Sequence, residues 1–292
     1  MASLIDLRRR LRSVKNIQQI TRAMKMVAAA RLRRSQDRIL AARPYAIELR
    51  RVVANLGRTS SGEALHPLLE RREERKVLVC PVTGDKGLCG AFNSNVLRRS
   101  DQLVRELVVE RELELLPLGR RGADYYARRK ASIRAAHRGL FANVTYEAAA
   151  EIAQTVVGEF ISGEYDAVYV VYNQFVSVMT QKLTVERVLP VEPEAPAEAG
   201  KQADTAPDWI FEPSVEQILD LLLPRFIAFQ FYRVLLESQA AEHAARMTAM
   251  DAATRNAREL IDRLTLTYNR GRQAAITKEL IEVVSGAAAL RG

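Results

Sequence analysis

The chain has 292 residues, 48% of them hydrophobic and 27% charged, and carries a net charge of +9. That balance fits a soluble globular protein able to bury a core, and no stretch approaches the roughly 18 uninterrupted apolar residues of a membrane span. Two cysteines, Cys80 and Cys89, are too few for a disulfide framework and match no common zinc spacing, so they read as reduced thiols.

The first element is a long helix. From Leu4 to Leu56 there is no Gly and only one Pro, a run far past the usual 8 to 20 residues that points to a coiled coil. The chain opens directly on the amphipathic pattern (Leu4, Leu7, Leu11, Val14), which leaves no room for an export or transit segment and predicts retention where the protein is made. Leu4, Leu7, Leu11, Val14, Gln18, Thr21, Lys25 and Ala28 alternate steps of three and four. Where that register turns polar, Ile17, Ile20, Met24 and Val27 are expected to carry the apolar stripe onward, so that it drifts. Residues 1 to 56 hold fourteen Lys or Arg against Asp6, Asp37 and Glu48, a balance of +11 that leaves −2 for the rest. Such a face can track phosphates, meet acidic loops of a protein partner, or simply be solvated.

The middle alternates strands and helices. Apolar runs at Val77 to Val82, Leu113 to Leu118, Ala167 to Tyr172 and Val176 to Val185 read as strands; helical patterns lie at Asn95 to Glu110, near Gly122 to Lys130, and from Thr145 to Ile161. This order predicts βαβ units and a mostly parallel sheet, a Rossmann-like α/β domain over about 75–212. Residues 192–208, rich in Pro, Glu and Ala, read as a flexible loop. After the first strand, Gly84-Asp85-Lys86-Gly87-Leu88-Cys89-Gly90 suggests a phosphate cradle but fits neither G-x-x-x-x-G-K-[ST] nor G-x-G-x-x-G, and a tight strand-to-helix turn is the simpler reading. No neighbouring His activates Cys89, and paired carboxylates, a serine triad and a metal cluster are all missing from the pattern, so neither an active site nor a cofactor is expected.

The last element is a second long helix, free of Pro from Arg225 to Ser285 and with one Gly. Leu236, Ala240, His243, Met247, Met250, Thr254, Ala257, Ile261, Leu264 and Tyr268 hold four-three spacing without a break, a coiled-coil seam of small and polar residues. His243 in that seam reads as a packed neutral imidazole, not a metal ligand. Gly271 either loosens the helix or permits close approach of a partner backbone. Connectivity makes the two terminal helices antiparallel if they pair, over roughly 75 Å for about 50 residues. The tail (Ile276, Leu280, Ile281, Val283, Val284, Ala287, Ala288, Ala289, Leu290) stays apolar after its mate has ended, which marks an interaction site.

Three segments in order carry a family resemblance: Ile20 to Gln36 (ITRAMKMVAAARLRRSQ), Asp85 to Gly90 (DKGLCG), and Tyr268 to Ala287 (YNRGRQAAITKELIEVVSGA). Together they resemble the gamma subunit of F-type ATP synthase, of bacterial type. The thiol-regulated plastid forms carry an added cysteine-pair loop that this chain lacks. The resemblance implies a non-catalytic rotor shaft. In it an antiparallel coiled coil of terminal helices (1–58 and 213–292) would rise inside a hexamer of alpha and beta subunits. The α/β domain would sit with the epsilon subunit on the ring of c subunits, one copy per complex. It further implies a peripheral place on the cytoplasmic face of the bacterial inner membrane, with no nucleic acid partner. Partner contact would fall to Met24 and Lys25, near acidic beta-subunit loops, with Arg31, Arg33 and Arg34 of the same motif. Arg272, Gln273, Thr277 and Glu279 match the stretch that engages the hexamer's catch loops.

Overall fold

The computed structural model describes residues 4–59, 66–108, 111–192 and 214–289, the side chains of 57–59 and 287–289 excepted. The loop expected at 192–208 therefore lies, but for Glu192, outside the described residues, as does Leu290. Helix α1 spans Leu4–Thr59 and α5 spans Val215–Ala289. Each contains one proline, Pro44 and Pro224. A proline inside a helix frees the carbonyl four residues earlier, and here that residue is Leu40 or Asp220, both exposed, so water can take the bond. The chain divides into two compact units, Met1–Ala28 with Met247–Gly292, and Ala29–Arg246.

In the first unit the two helices run antiparallel. The Lys25 ammonium donates to Asp251 at 2.5 Å, the Thr254 hydroxyl to that of Thr21 at 2.8 Å, and Arg8 to the Tyr268 hydroxyl at 2.7 Å. A side chain at Gly271 would meet Leu4 Cδ2 at 3.2 Å. Each advance along α1 is thus matched by an equal retreat along α5, as a straight paired seam requires. Leu7, Thr21, Ala28, Met250 and Ala257 are buried in it. The expected drift of the stripe is confined to Met24, which is half-buried. Gln18 and Lys25 are half-buried on the seam and Thr21 is buried, while Ile17, Ile20 and Val27 are about half exposed. The polar seam residues can stay because the partner helix satisfies two of them, Thr21 through Thr254 and Lys25 through Asp251. Gly271 is itself a seam position, and its missing side chain is what lets Leu4 close against the helix.

In the second unit a four-stranded sheet has the order β2-β1-β3-β4, where β1 is Lys76–Pro81, β2 Glu112–Leu115, β3 Ala167–Phe175 and β4 Gln181–Leu189. Strands β2, β1 and β3 are parallel, and β4 returns antiparallel on the edge. The expected start of β4 at Val176 was too early. Residues 176–180 form a tight turn in which Ser177 N donates to Thr180 O and Ser177 Oγ accepts from Thr180 N. Helices α2 (Phe92–Leu107), α3 (Arg120–Arg128) and α4 (Tyr146–Ile161) complete the domain. The pleat sorts alternate residues to opposite faces. Val77 and Val79 pack with Val96, Leu103 and Tyr126 of α2 and α3, whereas Leu78 and Cys80 pack with Ile152, Val156 and Phe160 of α4. The second face also receives Leu49, Val53 and Leu56 from α1 and Leu219, Leu223, Ile227 and Phe231 from α5. The end of α1 and the start of α5 are therefore held to one face of the sheet by apolar burial, the dominant favourable contribution to folding.

Candidate functional site

The residues expected to meet partners fall in separate places. Lys25 is paired with Asp251, whose carboxyl its hydrogen bond holds below the usual range, and Met24 beside it is half-buried. Arg272, Gln273, Thr277 and Glu279 are all exposed, with Thr277 Oγ1 returning its proton to the Gln273 carbonyl at 3.0 Å. Arg272 lies roughly 30 Å along α5 from Asp251 at 1.5 Å per residue. The expected contact residues of the first unit therefore fall in two stretches, not one. Near the second, Ile276, Leu280, Ile281, Val283 and Val284 are half or more exposed, an unpartnered apolar tail as expected.

Arg31, Arg33 and Arg34 are exposed in the second unit. Arg31 borders a cavity of about 700 Å³ whose wall also includes Asp85, Lys86, Arg138, Glu242, His243 and Arg246. The Gly84 to Gly90 loop forms one side. Its backbone is committed to protein: Gly84 N donates to Asn93 Oδ1 at 2.8 Å, and Gly87 O accepts from Arg246 at 3.2 Å. Arg246 in turn donates to Glu242 at 2.6 Å. A side chain at Gly84 would come within 2.6 Å of Glu242 Oε1, which is why the loop needs glycine where it crosses α5. Asp85 accepts from the backbone amides of Arg120, Gly139 and Phe141. These bonds fit the tight strand-to-helix turn expected there.

Burial raises both thiols, and for Cys89 the neighbouring Glu242 adds to it, so neither is poised as a nucleophile. Burial pulls the His243 imidazole down to about 4, with Arg246 and Arg31 adding repulsion, in keeping with the packed neutral ring expected. Its folded value lies below the ordinary 6.5, so between these values the unfolded chain binds more protons. Stability is then fully present above about 6.5 and is lost as pH falls toward about 4. The loss from this one group is on the order of 2 kcal/mol, less than the bare shift gives because the ring borders an open cavity. His243→Gln should flatten that limb of the melting temperature against pH relative to wild type; parallel curves would refute it.

Asp85 entered the sequence reading only as a member of the Gly84 to Gly90 motif, and the Glu242–Arg246 pair and a second, half-buried pair, Arg233 with Glu186, were not singled out by sequence. Only the four-residue spacing of Glu242 to Arg246 and of Arg233 to Glu237 hinted at them. Among the described residues no helix is long and apolar enough to cross a membrane, and no cluster of three His, Cys, Asp or Glu is placed to hold a metal.

A family model described as ATP synthase matches residues 3–290. The ATP synthase gamma chain of Solibacter usitatus is 53% identical over 292 residues, 99% of each chain, and that of Pelotomaculum thermopropionicum is 50% identical over 99% of this chain and 100% of the relative. Among solved structures, a chain of the Tetrahymena thermophila mitochondrial ATP synthase central stalk and c-ring aligns with a TM-score of 0.61 at 26% identity, covering 80% of this chain and 99% of that one. A chain of the Euglena gracilis mitochondrial ATP synthase, at 21% identity, shares the fold with a TM-score of 0.67 over 98% and 94%. By this full-length agreement with named relatives, the chain belongs to the ATP synthase gamma-chain family.

Proposed function

We propose that this chain is the central rotor shaft of a bacterial ATP synthase, turning inside an alpha–beta hexamer and joined through its α/β domain to the epsilon subunit and the c-subunit ring. It is peripheral to the cytoplasmic face of the plasma membrane, one copy per complex, and catalyses nothing itself. The full-length identity of about half with named gamma chains carries this reading, and the antiparallel seam with its exposed apolar tail supports it. The division into 1–58, 75–212 and 213–292 then follows function: rising helix, foot, and returning helix with its tip.

The mechanism requires only unequal contacts. A bound element shifts a conformational equilibrium by its differential affinity for the two states, and an asymmetric shaft presents a different face to each catalytic beta subunit as it turns. Contacts that must be made and broken at every step should be weak and polar. Lys25, beside Met24, suits acidic partner loops, Arg31, Arg33 and Arg34 carry the same charge for such loops, and Arg272, Gln273, Thr277 and Glu279 suit the hexamer's catch loops. The Lys25–Asp251 pair tempers the first contact, because Asp251 competes for the ammonium that a partner acid would bind.

Reconstitution tests the reading: hexamer and membrane ring lacking their own shaft should regain ATP-driven proton pumping when this chain is added, and failure to copurify with alpha and beta subunits would sink it. Met24→Lys adds a cation with no internal partner beside a pair already made. It should therefore lower the protons pumped per ATP hydrolysed while the complex still assembles; an unchanged ratio would count against the placement of Met24 at the contact.

A further inference from the structure

Five polar side chains meet inside the second unit where the sheet packs on α5. Arg233 of α5 donates through Nη2 to Glu186 Oε1 of β4 at 2.5 Å and through Nη1 to the Tyr172 hydroxyl of β3 at 3.1 Å. The same Nη1 reaches Glu237 Oε1 one turn on at 3.3 Å, and Nε donates to Gln230 Oε1 at 2.9 Å. Tyr172 closes the circuit by donating to the second oxygen of Glu186 at 2.9 Å. The Tyr172 side chain is fully buried, and those of Arg233, Glu237 and Glu186 are 18%, 13% and 30% exposed.

Stability does not explain this arrangement. A buried ion pair roughly breaks even against apolar residues of equal volume. Here, moreover, one oxygen of Glu237 is buried with no hydrogen-bond partner among the described residues, an unmade bond that costs free energy. Burial pushes the Glu237 carboxyl up and Arg233 does not fully restore it; at Glu186 burial is outweighed by Arg233 and Tyr172, which hold that carboxyl below the usual range. What the network supplies is direction. Apolar contact is proportional to area and nearly indifferent to small tangential slip, whereas a planar guanidinium forked between fixed acceptors resists displacement along and across its plane.

We infer that Tyr172, Glu186, Arg233 and Glu237 form a torsional lock that fixes the sheet against α5, so that turning force applied to the α/β domain reaches the helix without slip. Arg233 is a positioning residue in this sense. The lock deepens the rotor reading and rests on it.

The test uses the whole reconstituted complex in liposomes, with the hexamer anchored and a bead carried on the α/β domain. Arg233→Met with Glu186→Leu removes the charges and keeps the volume, and Arg233→Lys keeps the charge without the fork. The double variant strips Glu237 of its cation and should melt below wild type, yet it should assemble and hydrolyse ATP at the wild-type rate. It should nonetheless lose pumping against an opposing proton gradient. The angular variance of its bead should rise about twofold, as expected if charge-assisted bonds carry about half of the tangential stiffness. Arg233→Lys should recover part of that loss. Wild-type variance and pumping in the double variant would overturn the lock. Should that variant fail to assemble, Tyr172→Phe, which deletes a single hydroxyl, decides the matter: raised variance supports the lock and unchanged variance overturns it. A wild-type chain that drives no pumping would remove the rotor reading and the lock with it, a result distinct from an unaltered variant beside a working wild type.

Discussion

Alanine at Gly119 should leave the α/β domain unable to fold as it does in the wild-type chain. Gly119 has φ +114° and ψ 148°, a region essentially reserved to glycine. A methyl there would sit 1.8 Å from the backbone oxygen of Thr83 and 2.8 Å from its carbonyl carbon. Thr83 cannot retreat, because its amide is bonded to Leu118 O at 2.8 Å and its hydroxyl accepts from Gly122 N at 2.8 Å. Relief requires breaking the junction of β1 with the start of α3, and the expected loss exceeds about 4 kcal/mol, in the range that marks a specific steric mechanism. A urea midpoint measures it directly. The functional consequence follows from sequence order, since Thr83 leads into Gly84 and the loop that crosses α5. A midpoint close to wild type would mean that this junction yields far more easily than its hydrogen bonds suggest.

The same junction shows where sequence reading succeeds and where it stops. Long helices announce themselves by period and by the absence of Gly and Pro, and the three-four register from Leu4 to Ala28 is the one the structure buries. The reading went astray at Gln18, Thr21 and Lys25, where polar residues on a seam suggested that the stripe must move aside. Each of the two satisfied ones, Thr21 and Lys25, has its partner more than 220 residues away on α5, and a one-dimensional pattern carries no trace of such a pairing. Strand positions were legible in β1 and β3, whose near-continuous apolar runs are buried on both faces. Strand β4, on the edge and half-exposed along most of its length, carries Lys182, Glu186 and Arg187 and gives a weaker signal, so its start slipped by five residues. The proposed contacts at Met24 and at Arg272 to Glu279 came from resemblance, not from period or charge. The polar groups that organise the second unit, Asp85, Glu186, Arg233 and Glu242, look like ordinary solvated charges in the sequence. Their meaning lies in which backbone amides and which opposite charges the fold brings to them.

Asp85 gives the second large effect. One carboxylate accepts from three backbone amides on two segments, Arg120 and Gly139 at 2.9 Å and Phe141 at 3.0 Å. The first of these opens α3, whose N-cap is Gly119 with no side chain to offer, so Asp85 acts as a cap from a distant loop and its negative charge also suits the helix N-terminus. Removing it orphans three donors at once. Asp85→Ala should cost about 2–4 kcal/mol, because partly exposed Arg120 and Gly139 can recruit water whereas Phe141 is largely closed off. Asparagine separates charge from geometry. Its single carbonyl oxygen can still serve Arg120 and Gly139, but its amide would face the Phe141 amide donor to donor, so Asp85→Asn should fall between wild type and alanine. The ordering wild type, Asn, Ala in thermal midpoint is the result to check, and alanine equal to wild type would show that these three bonds do not hold the loop. In the reconstituted complex the same series should lower protons pumped per ATP in the same order. The Gly84 to Gly90 loop is gripped by Arg246 on one side and Asp85 on the other, and freeing either grip lets the loop yield where the turning shaft must not.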